Sequence, residues 1–274
     1  MRRIRVVSAA ALCALGVGGL ACGLDGTGSG GEGTGDGSTV SDPGPGDLEK
    51  FSFFVTSIEA MRQLSGSQNG FGGDLRYGKA TGLEGADELC RTIAEMGLAG
   101  AGQKVWRAFL STSTGSATGG PVHAIERIGE GPWYDRSGRL VAENKAALLS
   151  ARPQGDAQLK NDLPNERGEP NHQGVDNHDT LTGSNKQGQF AGGGMASTCN
   201  DWTSSVGSTG RPYIGHSWPR SASNPSNGGH WISDHQAPGC AAGVNLSNNG
   251  PGGSSPTVGG GGGYGGLYCF ATTP

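Results

Sequence analysis

Apolar residues keep a regular spacing in only a few short stretches of the chain, and each stretch predicts one element. "FSFFVTS", residues 51–57, is aromatic and β-branched and predicts a strand. In "LEGADELCRTIAEMG", Leu83, Ala86, Cys90, Ile93 and Ala94 recur at helical spacing, and Gly97 marks the stop. That spacing turns Cys90 toward a core. "KVWRAFLS", residues 104–111, predicts a second strand, and "GPWYDRSGRLV" predicts strand, turn and strand around Ser137-Gly138. "NKAALLS" supports one or two helical turns. Between residues 151 and 196 no period is sustained, and Asn, Asp, Gly, Gln and His dominate. A loop of that length inside a domain is either functional or hides elements. A glycine-rich passage through "GGHWISDHQAPGC" follows, and "LYCFAT" near the end predicts a buried strand. No repeat at a solenoid period is present.

Composition limits how much core these elements can share. Gly and Pro number 54 and 14 of 274 residues, and apolar residues make up 33%. Five Trp, seven Phe and five Tyr still supply large buried areas. The expectation is an α+β domain with a modest core and long glycine-rich loops.

The N-terminus predicts export. Arg2, Arg3 and Arg5 precede the apolar "IRVVSAAALCALGVGGLA", which is short for a membrane span and is interrupted by Gly16, Gly18 and Gly19. "GGLACG" resembles the lipobox of bacterial lipoproteins, with Gly19 where leucine is usual. The resemblance implies a signal peptide over 1–21 and a lipidated Cys22. Residues 22–49 read as a flexible, acidic, Gly-rich linker, and 50–274 as the folded domain. Setting aside three N-terminal arginines and six linker acids takes the formal charge from −4 to −1 for residues 50–274. A near-neutral domain offers no electrostatic footprint for nucleic acid.

Four cysteines remain in the domain: Cys90, Cys199, Cys240 and Cys269. In an exported chain an even number reads as two disulfides, with three possible pairings. Placement favours nested bridges, Cys90–Cys269 from helix to last strand and Cys199–Cys240 across the second loop. "STCNDWTSS", 197–205, would then set Trp202 beside the inner bridge. This layout resembles the C-type lectin-like fold, and its endostatin-like subgroup more closely. The residues carrying the likeness are "WRAFLS" at 106–111, "WYDRSGRLV" at 133–141, "LTGSNKQG" at 181–188, "CNDWTS" at 199–204 and "LYCFA" at 267–271. They occur in the expected order from about Ala86 to Ala271. The set also resembles a family of uncharacterised bacterial secreted lipoproteins carrying such a domain. Endostatin's N-terminal metal-binding histidines and its basic heparin-binding face have no counterpart here, so the resemblance implies fold and bridges rather than a ligand.

Candidate chemistry is sparse. "GDLRYGKA", 73–80, falls short of a phosphate loop because Ala80 replaces the hydroxyl residue. "GHSWP", 215–219, lacks the closing glycine of a nucleophile elbow, and adjacent His216 and Ser217 are poorly placed for general-base work. "GEPN", 168–171, resembles the sugar-selecting motif of mannose-type lectins, whose partner Trp-Asn-Asp is "WISD", 231–234, here. "NHQGVDNHDT" places His172 and His178 among acids, a composition that suits Ca²⁺ through oxygens or a transition metal through imidazole. The oxygen donors singled out for Ca²⁺ are Glu169, Asn171, Asp176, Asn177, Asp179 and Asp234; His230 and His235 read as loop or packing residues.

The resulting expectation is a cell-envelope lipoprotein, at the outer membrane or cell surface, with a C-type lectin-like binding or surface-interaction module. Its partners would be the membrane, through the lipid, and a protein or carbohydrate ligand; nucleic acid is not among them. The alternatives are a structural coat component without a small ligand and a calcium-dependent lectin. An enzyme is not expected: the formylglycine-generating family shares the fold type but needs a reactive cysteine pair.

Overall fold

A computed structural model of the chain describes residues 46–219, 229–247 and 255–272. The expected signal peptide and the lipidation site Cys22 lie outside the described residues.

The organising element is the last strand. β1 spans Phe53–Val55, β2 Trp106–Ala108, β3 Trp133–Tyr134, β4 Leu140–Ala142, β5 Asp179–Leu181, β6 Tyr213–His216, β7 His235–Gln236 and β8 Gly263–Ala271. All nine residues of β8 are buried. β1 and β2 run antiparallel to its C-terminal half, Phe53 facing Phe270 and Trp106 facing Ala271. β5 runs parallel to its N-terminal half, and β6 and β7 extend the sheet outward from β5. β3 and β4 form a separate hairpin.

Strand periodicity divides the core into two layers. On one face of β8, Leu267, Cys269 and Ala271 meet the residues of helix α2, Gly82–Gly97. On the other, Tyr268 and Phe270 pack with Phe53, Phe109, Trp133 and Trp231. Aromatic rings dominate this second layer, while Phe51, Phe54, Trp106, Trp202 and Tyr264 lie in the first. α2 begins at a capping box, with the Thr81 hydroxyl accepting from the Glu84 amide and the Glu84 carboxylate accepting from the Thr81 amide. It buries Ala86, Leu89, Cys90, Ile93 and Ala94, the face its spacing predicts. A shorter helix, α1, spans Ile58–Ser65 between the N-cap Ser57 and the left-handed Gly66. It was not among the predicted elements, although Ser57 and Gly66 are ordinary start and stop signals.

The disulfides are Cys90–Cys269 and Cys199–Cys240. The outer one joins α2 to β8 inside the first layer. The inner one secures an unusual turn. Cys199, Asn200, Asp201 and Trp202 all have positive φ, between 51° and 64°. Each such residue costs about 1–2 kcal/mol, so the surroundings must hold the turn. The Asp201 carboxylate accepts from the amides and hydroxyls of Ser113 and Thr114 and from the Thr198 hydroxyl. The Trp202 indole donates to Ser111 O at 2.8 Å, with its ring fully buried. The cysteine and tryptophan of "STCNDWTSS" thus anchor the two ends of a strained left-handed turn.

The 151–196 stretch differs most from expectation. Instead of loop throughout, it contains β5, a strand in the middle of the main sheet. Its residues, Asp179, Thr180 and Leu181, are all buried, but two of three are polar, so no hydrophobic alternation marks them.

Candidate metal centre

Strand register brings three of the site's side chains together. Asp179 at the start of β5 pairs across the sheet with His216 at the end of β6. His235 on β7 pairs with Ile214, two positions before His216 and so on the same face. His178 immediately precedes β5, and its carbonyl accepts from the Ser217 amide at 2.8 Å.

The four side chains converge on one point. Oδ1 of Asp179 lies 3.1 Å from His178 Nε2, 3.6 Å from His216 Nε2 and 3.3 Å from His235 Nε2. One ligating atom from each of the four residues falls within 4.8 Å of every other. Asp234 flanks them, its Oδ2 being 3.4 Å from His216 Nε2. His178, Asp179 and His216 are almost wholly buried, whereas the His235 side chain is 38% exposed.

Two of these groups lack conventional hydrogen bonds. Both carboxylate oxygens of Asp179 and Nε2 of His178 are buried without a hydrogen bond of acceptable geometry. A buried carboxylate without partners is costly, and native structures avoid it unless an ion or water completes the group. The outer nitrogens, by contrast, are engaged. Asp176 Oδ1 holds His178 Nδ1 in a very short contact, and His235 Nδ1 faces the Gln236 carbonyl at 3.2 Å. A proton fixed on Nδ1 leaves the Nε2 lone pair directed into the cluster, which is the arrangement of metal-bound imidazoles. Burial works against a charge on His235, but the Asp179 carboxylate, the Gln236 carbonyl and Asp234 together outweigh it and raise the pKa above the usual histidine value.

The C-terminal glycine run forms the wall behind these groups. A Cβ on Gly261 would stand 2.2 Å from Asp179 Oδ2 and 2.9 Å from His235 Cε1. One on Gly262, where φ is 127°, would stand 2.8 Å from Asp176 Oδ1 and from His178 Cε1. Only glycine allows the backbone to approach the cluster so closely.

The oxygen donors expected for Ca²⁺ have separate places. Asp179 is a central donor, Asp234 flanks it, and Asp176 stands behind His178. Asn171 donates to Ser217 Oγ and accepts from the Tyr264 hydroxyl. Asn177 donates to Asn171 O and accepts from the Trp218 indole. Both support the loop. Glu169 is engaged by Asn165, Arg167 and Gln173. The convergent donors are three nitrogens and one carboxylate, a set that suits zinc-type ions; Ca²⁺ favours six to eight oxygens.

His235, expected to be a loop or packing residue, is a strand residue of the cluster, and His216 joins it. The strands carrying them are four and two residues long, and nothing in either local sequence ties the two histidines to "NHDT". His230 does behave as a packing residue: its Nδ1 accepts from the amides of Ile232 and Ser233, and burial pushes its pKa down to about 4, leaving it neutral at pH 7. Ser217 Oγ meets Asn171 Nδ2 at 2.8 Å, so the "GHSWP" stretch serves the scaffold. In "GDLRYGKA", Asp74 and Arg76 form a bidentate surface pair leading into α2.

Compared with known proteins, the chain matches no family model, and no curated protein matches it.

Proposed function

We propose that the protein is an exported, envelope-tethered binding module whose folded domain takes up a divalent transition-metal ion through His178, Asp179, His216 and His235. The observation that carries this reading is the buried Asp179 carboxylate, which has no hydrogen bond of acceptable geometry and stands within 3.1–3.6 Å of three imidazole nitrogens. The α+β architecture and two nested disulfides support the C-type lectin-like, endostatin-like assignment and a life in an oxidising compartment. In that assignment the centre belongs to the long-loop half of the domain, where such folds meet ligands.

Thermal unfolding tests the metal reading. An ion at a hundredfold excess over its Kd adds about 2.7 kcal/mol. For a domain of this size that raises Tm by roughly 5–10 °C. Zn²⁺ is expected to produce this rise, EDTA to reverse it, and His178→Ala with His216→Ala to remove it. Ca²⁺ is expected to leave Tm unchanged. Equal melting in Zn²⁺ and EDTA would refute the centre, and a rise with Ca²⁺ alone would favour the oxygen-donor set.

Envelope tethering is supported by the "GGLACG" stretch. The proposed attachment is the lipid on Cys22; among the described residues no helix is long and apolar enough to cross a membrane. Cys22→Ala is expected to shift the protein from the membrane fraction to the soluble fraction. Absence of acyl mass on the N-terminal peptide of the unmutated protein would defeat this part of the proposal.

A further inference from the structure

Resting on the metal reading above, we infer that the bound ion is Zn²⁺ in a closed, four-coordinate centre, where it acts as a structural cross-link of β5, β6 and β7 and carries no exchangeable water. Three observations lead there. The first is spacing. Metal–ligand bonds of about 2.0–2.1 Å in a tetrahedron place neighbouring ligand atoms about 3.3 Å apart. Asp179 Oδ1 stands 3.1, 3.3 and 3.6 Å from the three Nε2 atoms. A single carboxylate oxygen nearly equidistant from three nitrogens is one vertex of such a tetrahedron.

The second is enclosure. The glycine wall lies so close to Asp179, His178 and His235 that not even a Cβ fits at Gly261 or Gly262. His178, Asp179 and His216 are buried, and His235 supplies the half-exposed fourth ligand on the solvent side. Four protein donors with no open position define a structural zinc site; a catalytic one keeps a place for water.

The third is what the ligands connect. β5 lies in the middle of the main sheet, β6 pairs with it, and the two-residue β7 pairs only with β6 among the described strands. The β6–β7 pairing covers just two residues on each strand, Tyr213 with Gln236 and Ile214 with His235. An ion bridging Asp179, His216 and His235 would fasten this weakly paired edge to the sheet. Asp176 is the positioning residue, fixing the His178 ring through Nδ1.

Cobalt substitution tests the inference on the intact domain. Co²⁺ in a tetrahedral nitrogen–oxygen site gives intense visible d–d bands, whereas five- or six-coordinate Co²⁺ with bound water gives weak ones. One equivalent of Co²⁺ is expected to produce the intense bands, and one equivalent of Zn²⁺ to abolish them. Asp176→Asn is expected to weaken Co²⁺ binding 10–100-fold while the bands at saturation stay intense. Stoichiometric binding with weak bands would overturn the closed centre and leave the metal reading standing. No uptake of either ion would overturn both.

Discussion

Replacing both Cys90 and Cys269 with alanine is expected to destabilise the domain by about 2–5 kcal/mol, the usual cost of losing a native bridge in a small secreted domain. The sulfurs close a loop with a sequence separation of 179, and the chain-entropy model puts such a closure at roughly 5 kcal/mol. The inner bridge, with a separation of 41, comes to about 4 kcal/mol. Burial does not separate the two bridges, since Cys199 and Cys240 are equally buried in the same core cluster; the longer closed loop does. Cys90 and Cys269 belong to the layer between α2 and β8, and both are fully buried. Alanine there removes covalent restraint and packed volume together. At about 2–4 °C per kcal/mol for a domain of this size, Tm should fall by about 10 °C. Equilibrium denaturation of the double variant, beside the Cys199/Cys240 double variant, measures both effects. A loss under 1 kcal/mol would mean that the helix-to-strand layer holds without its bridge. Burial of the outer sulfurs also implies that reductant reaches them only after unfolding, so the native protein should resist mild reduction there.

Arg152→Met is expected to cost about 3–5 kcal/mol and to weaken Zn²⁺ binding as well. The side chain is 4% exposed and lacks a hydrogen-bonded carboxylate. Its guanidinium instead donates to four carbonyls: Lys160 at 2.6 Å, His216 at 2.5 Å, Ser217 at 2.7 Å and Gly229 at 3.2 Å. Burial pushes its pKa down to about 10, which still leaves it charged at neutral pH. Methionine fills much of the volume but withdraws the guanidinium donors from all four carbonyls; Ser217 O keeps the Leu163 amide at 3.0 Å, and each buried acceptor left orphaned costs about 1–3 kcal/mol. Two of those carbonyls, on His216 and Ser217, fix the exit of β6, and the neighbouring Ala151 carbonyl receives the Trp231 amide on the way to β7. The guanidinium therefore holds the backbone that presents His216. Urea denaturation in EDTA isolates the stability term, and Zn²⁺ titration of the folded fraction measures the coupling. Unchanged stability would show that water replaces the guanidinium without loss.

Elements with a strong period were legible in the sequence. α2, β1, β2, the β3–β4 hairpin and β8 follow their apolar spacing, and the cysteines on α2 and β8 could be paired because both lie on core-facing positions. The sheet edge that carries the candidate site was not legible. β5, β6 and β7 are three, four and two residues long, and their buried positions include Asp179, Thr180 and His216. A buried polar strand gives no alternation, because the ligand role and the burial pull residue choice in opposite directions. The acids of "NHQGVDNHDT" stood out by composition. Their histidine partners come from two other strands and are united only by register. The glycines at 261 and 262 belong to a plain glycine run with no motif, yet they line the cluster at contact distance. A histidine at the end of "YIGH" and another after "WISD" carry no spacing that points to a metal until the strands are paired.

Anomalous X-ray scattering from crystals grown with one equivalent of Zn²⁺ tests the central claim most directly. The account predicts a single strong peak, at the zinc edge, about 2.0–2.2 Å from Nε2 of His178, His216 and His235 and from a carboxylate oxygen of Asp179. A domain without a peak there, or with zinc held only at other residues, would contradict it.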